Sequence, residues 1–265
     1  MHYLSNLHDK NIISKVFLLR VDFNIENAKE IFRLQASLET IKFLLKRKTK
    51  IVLLSHRGRP TLHKKNKKIS LKIVIPYLKR NLKARLTFFN HFDFKRIKQT
   101  ILSKNAGTIF LLENLRLLPE ELANSSRLAR QLASLGDYYV NDAFSVSHRK
   151  NASVTQLPKL LPSMAGLLLE REISNLKKVM EGPKKPLVVI LGGAKVIDKM
   201  GIINKLKRVA ECFLVGGIIA NTFLKAKKFD IGKSAFEPKM LKTARKLLKS
   251  AKIILPTDFI SQDNK

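Results

Sequence analysis

Short apolar runs alternate along the chain with segments in which apolar residues recur at every third or fourth position. The runs Val16–Asp22, Ile51–Ser55 and Thr108–Leu112 are typical of buried strands, and Leu34 and Leu38 begin a stripe that predicts a helix to about residue 47. Further strands are predicted at 86–89, 138–140, 187–191, 212–215 and 253–255. Further helices are predicted at 71–82, 94–103, 126–135, 165–180, 217–225 and 238–249. This alternation predicts an α/β fold with a mainly parallel sheet.

The helix predicted at 165–180 separates two groups of alternating elements. It follows two prolines and is stopped by Gly182-Pro183, as expected of a stiff connector between lobes. We therefore assign residues 1–163 to a first lobe, 164–182 to a connecting helix and 183–265 to a second lobe.

Positive charge dominates the composition of the chain. Its 265 residues include 52 Lys and Arg against 20 Asp and Glu, which gives a formal net charge of +32. Such a charge favours nonspecific binding to polyanions, including nucleic acid. The lysines are spread along the chain, with one dense run in a predicted loop at 63–68, and no zinc-ligand spacing or aromatic-basic RNA motif is present. A dedicated nucleic-acid function is therefore not predicted.

Three features of the sequence bear on cellular location. No apolar run approaches membrane-spanning length, and the first ten residues lack the hydrophobic core of a signal peptide. The single cysteine, Cys212, cannot form an internal disulfide and lies in an apolar segment, where it is expected to be a core residue. We expect a cytoplasmic protein.

A glycine turn with two lysines follows the apolar run at 187–191. Gly192-Gly193 ends the run, and Lys195 and Lys199 are four residues apart at the start of a predicted helix, on one helix face. The free N–H groups of a helix start, the helix dipole and two ammonium groups together predict a polyphosphate site. The alternative is an ordinary strand–helix turn with two solvated lysines, and short glycine motifs alone do not decide between the two.

Polar and basic side chains cluster where several predicted strands end. The residues concerned are Asp22, Asn24, His56, Arg59, Arg116 and Arg149. In open parallel sheets, ligands bind outside the carboxyl ends of the strands, and arginines there can hold carboxylate and phosphate groups through paired hydrogen bonds. Each residue alone could be a loop surface charge, but the repetition of the pattern predicts a site for a small, highly anionic substrate.

Six ordered motifs carry a resemblance to a known family. They are Arg20-Val21-Asp22-Phe23-Asn24, Ser55-His56-Arg57-Gly58-Arg59-Pro60, Leu111-Leu112-Glu113-Asn114-Leu115-Arg116, Val140-Asn141-Asp142-Ala143-Phe144, Leu191-Gly192-Gly193-Ala194-Lys195-Val196 and Leu255-Pro256-Thr257-Asp258-Phe259. Together they resemble the phosphoglycerate kinase family over essentially the whole chain. The resemblance implies two Rossmann-like lobes with parallel sheets joined by a hinge helix, with triose bound by the first lobe and nucleotide by the second.

The resemblance also implies an activity and a set of roles. The activity is transfer of a phosphoryl group between 1,3-bisphosphoglycerate with ADP and 3-phosphoglycerate with ATP, with Mg²⁺ bound to the nucleotide. We expect the protein to be a monomer. The triose would be bound by Asp22, Asn24, Arg33, His56, Arg59, Arg116 and Arg149. Arg33 and Lys195 would act on the migrating phosphoryl group. The nucleotide would be bound by Lys199, Gly192, Gly193, Gly216 and Gly217.

The sequence departs from the family pattern in two ways. Arg57 occupies a position where the family usually has an apolar residue, and Ser145 replaces a glycine. The chain also stops inside the second lobe, before the strands that carry the family's magnesium-linked aspartate. We expect an incomplete second lobe with an open sheet edge and exposed apolar surface, which binds nucleotide poorly, beside a first lobe that binds 3-phosphoglycerate.

Two alternatives to a complete enzyme remain open at this point. One is a non-catalytic relative that binds anions or nucleic acid through its charge. The other is a split-gene fragment whose second lobe is completed by a separate chain.

Overall fold

The chain folds into two units, Met1–Ser174 and Asn175–Lys265, in a computed structural model that describes residues 2–7, 12–60 and 69–259. The lysine run predicted as a loop at 63–68 lies outside the described residues. None of the described helices is long and apolar enough to cross a membrane.

Six parallel strands form the sheet of the first unit. They are β1 (Val16–Arg20), β2 (Lys50–Leu54), β3 (Leu86–Phe89), β4 (Ile109–Leu112), β5 (Tyr138–Asn141) and β6 (Ser163–Ala165). Their order is β3-β4-β2-β1-β5-β6, and every neighbouring pair is parallel. The chain therefore places β2, β3 and β4 on one side of β1, with β4 inserted between β3 and β2, and then adds β5 and β6 on the other side. Such a reversal creates a crevice at the carboxyl ends of the central strands.

Helices cover both faces of this sheet, which is why its central strands are continuous apolar runs. The helices of the first unit are α1 (Phe32–Lys46), α2 (Ile75–Asn81), α3 (Phe94–Ser103), α4 (Pro119–Leu122) and α5 (Ser126–Ala133), and α6 (Leu167–Glu181) begins in this unit and ends in the second. Phe17 and Leu19 of β1 belong to the core that contains α1 and α2, and Leu18 between them belongs to the core that contains α3 and α5. All five residues of β1 are buried.

The second unit has a smaller parallel sheet covered on one face. Its strands are β7 (Val188–Leu191), β8 (Cys212–Val215) and β9 (Ile253–Ile254), in that order, and its helices are α7 (Val196–Leu206), α8 (Gly217–Ala226) and α9 (Leu241–Ser250). Phe213 and Val215 pack in one core with residues from all three helices. On the other face, the exposed fractions of Val188 and Ile190 are 45% and 78%. Among the residues that the structure describes in this unit, exposed apolar surface therefore lies on the face of the sheet opposite to the three helices.

The predicted α/β organisation is confirmed, and the differences are local. The helices predicted at 71–82 and 238–249 each begin with a 3₁₀ turn, Leu71–Val74 and Pro238–Met240, before the α-helix starts. Strand β6 was missed, because a run of three residues carries too little pattern to be recognised. Residues 164 and 165, which we expected in the connecting helix, belong to this strand, and α6 begins at Leu167.

Candidate functional site

The predicted triose residues lie at one edge of the first sheet. Asp22 and Asn24 follow β1, His56 and Arg59 follow β2, Arg116 follows β4 and Arg149 follows β5, while Arg33 lies in the first turn of α1. Because β4, β2, β1 and β5 are successive neighbours and parallel, their carboxyl ends meet at the same edge. The structure therefore brings together the basic residues that the sequence placed at separate strand ends.

The carboxylate of Asp22 organises one side of this cluster. Its Oδ1 accepts a 3.0 Å hydrogen bond from the backbone N–H of Asn24, and its Oδ2 accepts a 2.5 Å hydrogen bond from the hydroxyl of Ser145. The guanidinium of Arg33 also donates to Oδ2 and forms a salt bridge with it. Asp22 thus fixes the loop after β1 against Arg33, whose side chain is 45% exposed and can reach solvent.

Backbone and side-chain hydrogen bonds link the loops after β1, β2 and β4. The N–H of Gly58 donates to Oδ1 of Asn24 over 2.7 Å, and the carbonyl of Gly58 accepts from Nη1 of Arg116, also over 2.7 Å. Gly58 has a φ of +60°, a conformation that favours glycine. Gly58 therefore contacts two of the predicted ligands, Asn24 through its N–H and Arg116 through its carbonyl.

Arg57, the residue before Gly58, is buried. Its Nε donates to the carbonyl of Ile25 over 2.8 Å, its Nη2 to the carbonyl of Glu26 over 2.6 Å, and its Nη1 to the carbonyl of Ser70 over 3.3 Å. The backbone of Arg57 also exchanges hydrogen bonds with the side chain of Asn114. The residue therefore ties the loop after β1 to its own loop and to the segment before α2.

A second buried arginine, Arg20, supports His56 from the end of β1. Nη2 of Arg20 lies 3.1 Å from Nδ1 of His56, and its Nη1 donates to the carbonyl of Val21 over 2.6 Å. Nε of Arg20 donates to the hydroxyl of Ser153 over 3.0 Å, and that hydroxyl donates to Glu121 over 2.6 Å. Arg20, His56 and Glu121 are all almost fully buried.

The electrostatics of the site reflect its excess of positive charge. The pKa of His56 is lowered from its usual 6.5 to about 2, chiefly by burial and also by the neighbouring guanidinium groups of Arg20, Arg116, Arg149 and Arg33. Burial and the charges of Arg149, Arg20 and Arg59 lower the pKa of Arg116 to about 10, against a weaker opposing effect of Glu121. His56 is therefore neutral, and the guanidinium groups around it repel one another.

An unsatisfied donor also lies within the cluster. Nε of Arg149 is buried and has no hydrogen-bond partner among the described residues. A buried donor without a partner is destabilising, and an anionic ligand would supply the missing acceptor. The cluster therefore has both the charge and a free hydrogen-bonding group for binding an anion.

An open cavity of about 450 Å³ adjoins Asp22 and Arg33. Its polar wall includes Ser145 and Arg171, and its apolar wall includes Phe32, whose side chain is 82% exposed. This cavity leaves the guanidinium of Arg33 accessible from solvent.

The predicted nucleotide residues of the second unit lie at the ends of β7 and β8. Gly193 and Gly217 have φ values of +96° and +59°, which favour glycine at both positions. A Cβ atom added to Gly217 would lie 3.8 Å from the backbone nitrogen of Gly193, so the two turns are adjacent, while one added to Gly192, Gly193 or Gly216 would meet nothing within 4 Å. The turns leave space beside the starts of α7 and α8.

The position of Lys195 differs from the prediction. Lys195 is the N-cap residue of α7, with φ −85° and ψ 83°, and the helix begins only at Val196. The expectation that both lysines lie on one face of one helix is therefore wrong, since Lys199 alone is helical. Lys195 is exposed and Lys199 is half-buried. Neither α7 nor α8 has a side-chain hydrogen bond at its N-cap, so no capping side chain competes with an anion there, although the N–H of Val196 donates to the carbonyl of Ala194.

A metal site formed by protein side chains alone is absent from the described part of the chain. Within residues 2–7, 12–60 and 69–259, no group of three His, Cys, Asp or Glu residues is arranged to hold a metal ion. The turns at the starts of α7 and α8 fit the phosphates of a nucleotide, and any Mg²⁺ there would be held chiefly by those phosphates.

Sequence reasoning did not assign a role to three residues of this site. Arg20 was quoted only as part of a motif, although an arginine at the end of the otherwise apolar strand VFLLR is a signal of a buried, paired charge. Arg57 and Ser145 were noted only as departures from a family pattern, and their contacts depend on loops that sequence alone does not position. Their hydrogen bonds show that both residues support the predicted ligands.

Comparison with known proteins decides the family. A family model described as phosphoglycerate kinase matches residues 7–265. The chain belongs to the phosphoglycerate kinase family. The phosphoglycerate kinase of Pseudothermotoga lettingae is 39% identical over 264 residues, which cover 96% of this chain and 66% of the relative. The phosphoglycerate kinase of Wolbachia pipientis wMel is 37% identical over 268 residues, which cover 97% and 66% of the two chains.

Solved structures of phosphoglycerate kinases also resemble this fold. The structure from Coxiella burnetii has a TM-score of 0.79 and 33% identity, and the match covers 99% of this chain and 69% of that one. The structure from Pyrococcus horikoshii has a TM-score of 0.82 and 28% identity, with 98% and 68% covered. The chain therefore spans about two thirds of the length of the phosphoglycerate kinases that it matches.

Proposed function

We propose that the basic cluster of the first unit binds 3-phosphoglycerate and that the chain takes part in phosphoryl transfer between 1,3-bisphosphoglycerate and ADP. The observation that carries this proposal is the convergence of guanidinium groups on Arg116, whose pKa is lowered to about 10 by its burial and by repulsion from Arg149, Arg20 and Arg59. Binding of a phosphate and a carboxylate would relieve that repulsion and satisfy the buried Nε of Arg149.

The proposed triose ligands are Asp22, Asn24, Arg33, His56, Arg59, Arg116 and Arg149. Arg59 is exposed and Arg149 half-buried, so their guanidinium groups remain accessible to a ligand. Asp22 accepts bonds from three groups and is proposed to orient Arg33 and the loop after β1. Once Arg33 exchanges Asp22 for the substrate, its charge would act on the migrating phosphoryl group.

In the second unit, we propose that Lys199 and the turns Gly192-Gly193 and Gly216-Gly217 bind the nucleotide phosphates. Lys195, exposed at the N-cap of α7, would neutralise charge on the phosphoryl group in transfer. Mg²⁺, when bound with the nucleotide, supplies further neutralisation of phosphate charge. Phosphoryl transfer requires mainly positioning and such electrostatic stabilisation, which agrees with a site rich in cations.

The proposal extends to organisation and location. It assigns triose binding to residues 1–163, a connecting role to 164–182 and partial nucleotide binding to 183–265, in a monomeric cytoplasmic protein. The family membership and the two separate sheets support this division.

Calorimetric titration of the full chain with 3-phosphoglycerate tests the proposal. Binding should be saturable, and Arg116→Gln should weaken it by about tenfold or more, because a hydrogen bond to a charged group contributes about 1.5–3 kcal/mol. Arg127→Gln, which removes an exposed arginine of the same unit, is the matched control and should have no effect. No binding, or equal loss in both variants, would refute the proposed site.

A coupled assay of ATP consumption tests participation in turnover. Turnover that is lost in Lys195→Met supports a catalytic chain. We expect MgATP to bind more weakly than 3-phosphoglycerate, and tight MgATP binding would contradict that expectation. Inactivity together with salt-sensitive RNA binding would instead favour a non-catalytic polyanion-binding relative.

A further inference from the structure

The contact between Arg20 and His56 restricts the chemistry of the imidazole. Nη2 of Arg20 lies 3.1 Å from Nδ1 of His56, with both side chains buried. A guanidinium group has only donors, so the nitrogen facing it must be the acceptor. An imidazole with an acceptor at Nδ1 is neutral and carries its proton on Nε2.

Arg20 is itself fixed by contacts on its other nitrogens. Nη1 donates to the carbonyl of Val21 and Nε to the hydroxyl of Ser153. Glu121 accepts from that hydroxyl over 2.6 Å and from the backbone N–H of Ser153 over 2.9 Å. These acceptors orient the guanidinium group of Arg20 towards His56. The buried carboxylate of Glu121 lies on the other side of Ser153.

We propose that Arg20 is a positioning residue that holds His56 as the neutral tautomer protonated on Nε2. Ser153 and Glu121 help to hold Arg20 in this position, because the Ser153 hydroxyl accepts from Nε of Arg20 and donates to Glu121. The strongly lowered pKa of His56 agrees with this arrangement but is not needed for it, since the donor–acceptor geometry alone selects the tautomer.

The tautomer has a consequence for binding that rests on the proposed function. A neutral imidazole with its proton on Nε2 can donate one hydrogen bond to a phosphate or carboxylate oxygen, but it cannot serve as a base through that nitrogen. His56 would therefore bind the triose as a fixed donor over the whole physiological pH range. Failure of triose binding would not affect the assignment of the tautomer in the free protein.

Nitrogen-15 NMR of the full chain tests the tautomer directly. Long-range proton–nitrogen correlation distinguishes protonated from unprotonated ring nitrogens, and His56→Gln identifies the His56 signals among the six histidines. We expect an unprotonated Nδ1 and a protonated Nε2 that stay unchanged from neutral pH to about pH 5. A proton on Nδ1, or a cationic ring at about pH 5, would overturn the proposal.

Two variants test the role of Arg20. Arg20→Met removes the donor with a side chain of similar length and should release His56 into a mixture of tautomers, with about tenfold weaker 3-phosphoglycerate binding. Ser153→Ala removes only the bridging hydroxyl, so it offers a milder change if Arg20→Met does not fold, and it should move the His56 signals in the same direction. Arg130→Met, at an exposed position on α5, is the control.

The outcomes separate positioning from a purely structural role. If both variants lose stability but the His56 tautomer is unchanged, Arg20 does not determine that tautomer, and the proposal fails. A changed tautomer in a folded variant, with the other histidine signals unmoved, would establish it. If the tautomer changes while triose binding does not, the positioning inference stands and the role of His56 as a triose ligand is wrong.

Discussion

Asn24 accepts a 2.7 Å hydrogen bond from the backbone N–H of Gly58, and this bond joins the loop after β1 to the loop after β2. The carbonyl of the same glycine accepts from Arg116, which follows β4. Three strand ends are therefore coupled through one residue with a positive φ. A change at Gly58 should alter the geometry of the whole anion site.

Gly58→Ala is expected to reduce both stability and triose binding. An L-residue at φ +60° costs about 1–2 kcal/mol, and the new Cβ would lie 2.9 Å from a methyl group of Ile69, which must move. Gly107→Ala is the matched control, because Gly107 has φ +79° but a Cβ there meets nothing within 4 Å. Urea unfolding should show a larger loss for Gly58→Ala, and calorimetry should show weaker 3-phosphoglycerate binding in that variant alone. Equal behaviour of the two variants would argue against the coupling.

The parallel sheet and the residues at its edge could be predicted from the sequence because both have strong local signals. Continuous apolar runs such as Val16–Asp22 predict strands covered on both faces, and the polar residues after them mark the carboxyl ends. The end of the strand at Gly192-Gly193 could also be predicted, since a glycine pair after an apolar run marks a turn.

The supporting contacts could not be predicted, because they join residues that are distant in sequence. Ser145 donates to Asp22 across 123 positions, and Arg20 reaches Ser153 across 133. Neither pair has a spacing rule, and the partners meet only when β1 and β5 become neighbours. The N-cap position of Lys195 was missed for a different reason, since helix boundaries are uncertain by one or two residues.

Arg57→Leu is expected to destabilise the protein, although an apolar side chain is what the family pattern has at this position. The substitution removes the donors to the carbonyls of Ile25, Glu26 and Ser70, and leaving a buried acceptor unsatisfied costs about 1–3 kcal/mol. Because the loop after β1 carries Asn24, we also expect weaker 3-phosphoglycerate binding. Thermal unfolding and calorimetry would measure both effects. Arg80→Leu, at an exposed position on α2, is the control, and comparable stability of the two variants would contradict the role assigned to Arg57.

Lys199→Met is expected to weaken MgATP binding by about tenfold, as a charge-assisted contact to phosphate is lost. Lys195→Met should instead reduce turnover with less effect on affinity, because the exposed N-cap lysine is proposed to act on the migrating group. Titration with nucleotide and the coupled assay would separate the two effects. Lys205→Met changes an exposed lysine in the last turn of α7 and controls for the loss of one positive charge. If Lys205→Met weakened binding as much as Lys199→Met, the phosphate site would be wrongly placed.

Asp142 is expected to make the stability of the first unit depend on pH. Its Oδ1 accepts from the N–H groups of Leu168 and Leu169 at the start of α6, while its Oδ2 is buried without a partner among the described residues. Burial raises the pKa of Asp142 from 3.8 to about 6, against smaller opposing effects of its hydrogen bonds and of Arg171. The folded state therefore holds this proton more tightly than the unfolded state does.

Stability from this group is present below the unfolded-state pKa of 3.8 and is lost as pH rises through about 6. Asp142→Asn keeps an oxygen acceptor for α6 and removes the titration, so the variant should gain up to about 3 kcal/mol relative to the wild type between about pH 4 and pH 7. Urea unfolding of both proteins across that range would measure the difference. Glu120→Gln, which removes an exposed carboxylate of the same unit, controls for net charge. A difference between Asp142→Asn and wild type that does not vary with pH would show that the Asp142 carboxylate does not change its protonation on unfolding.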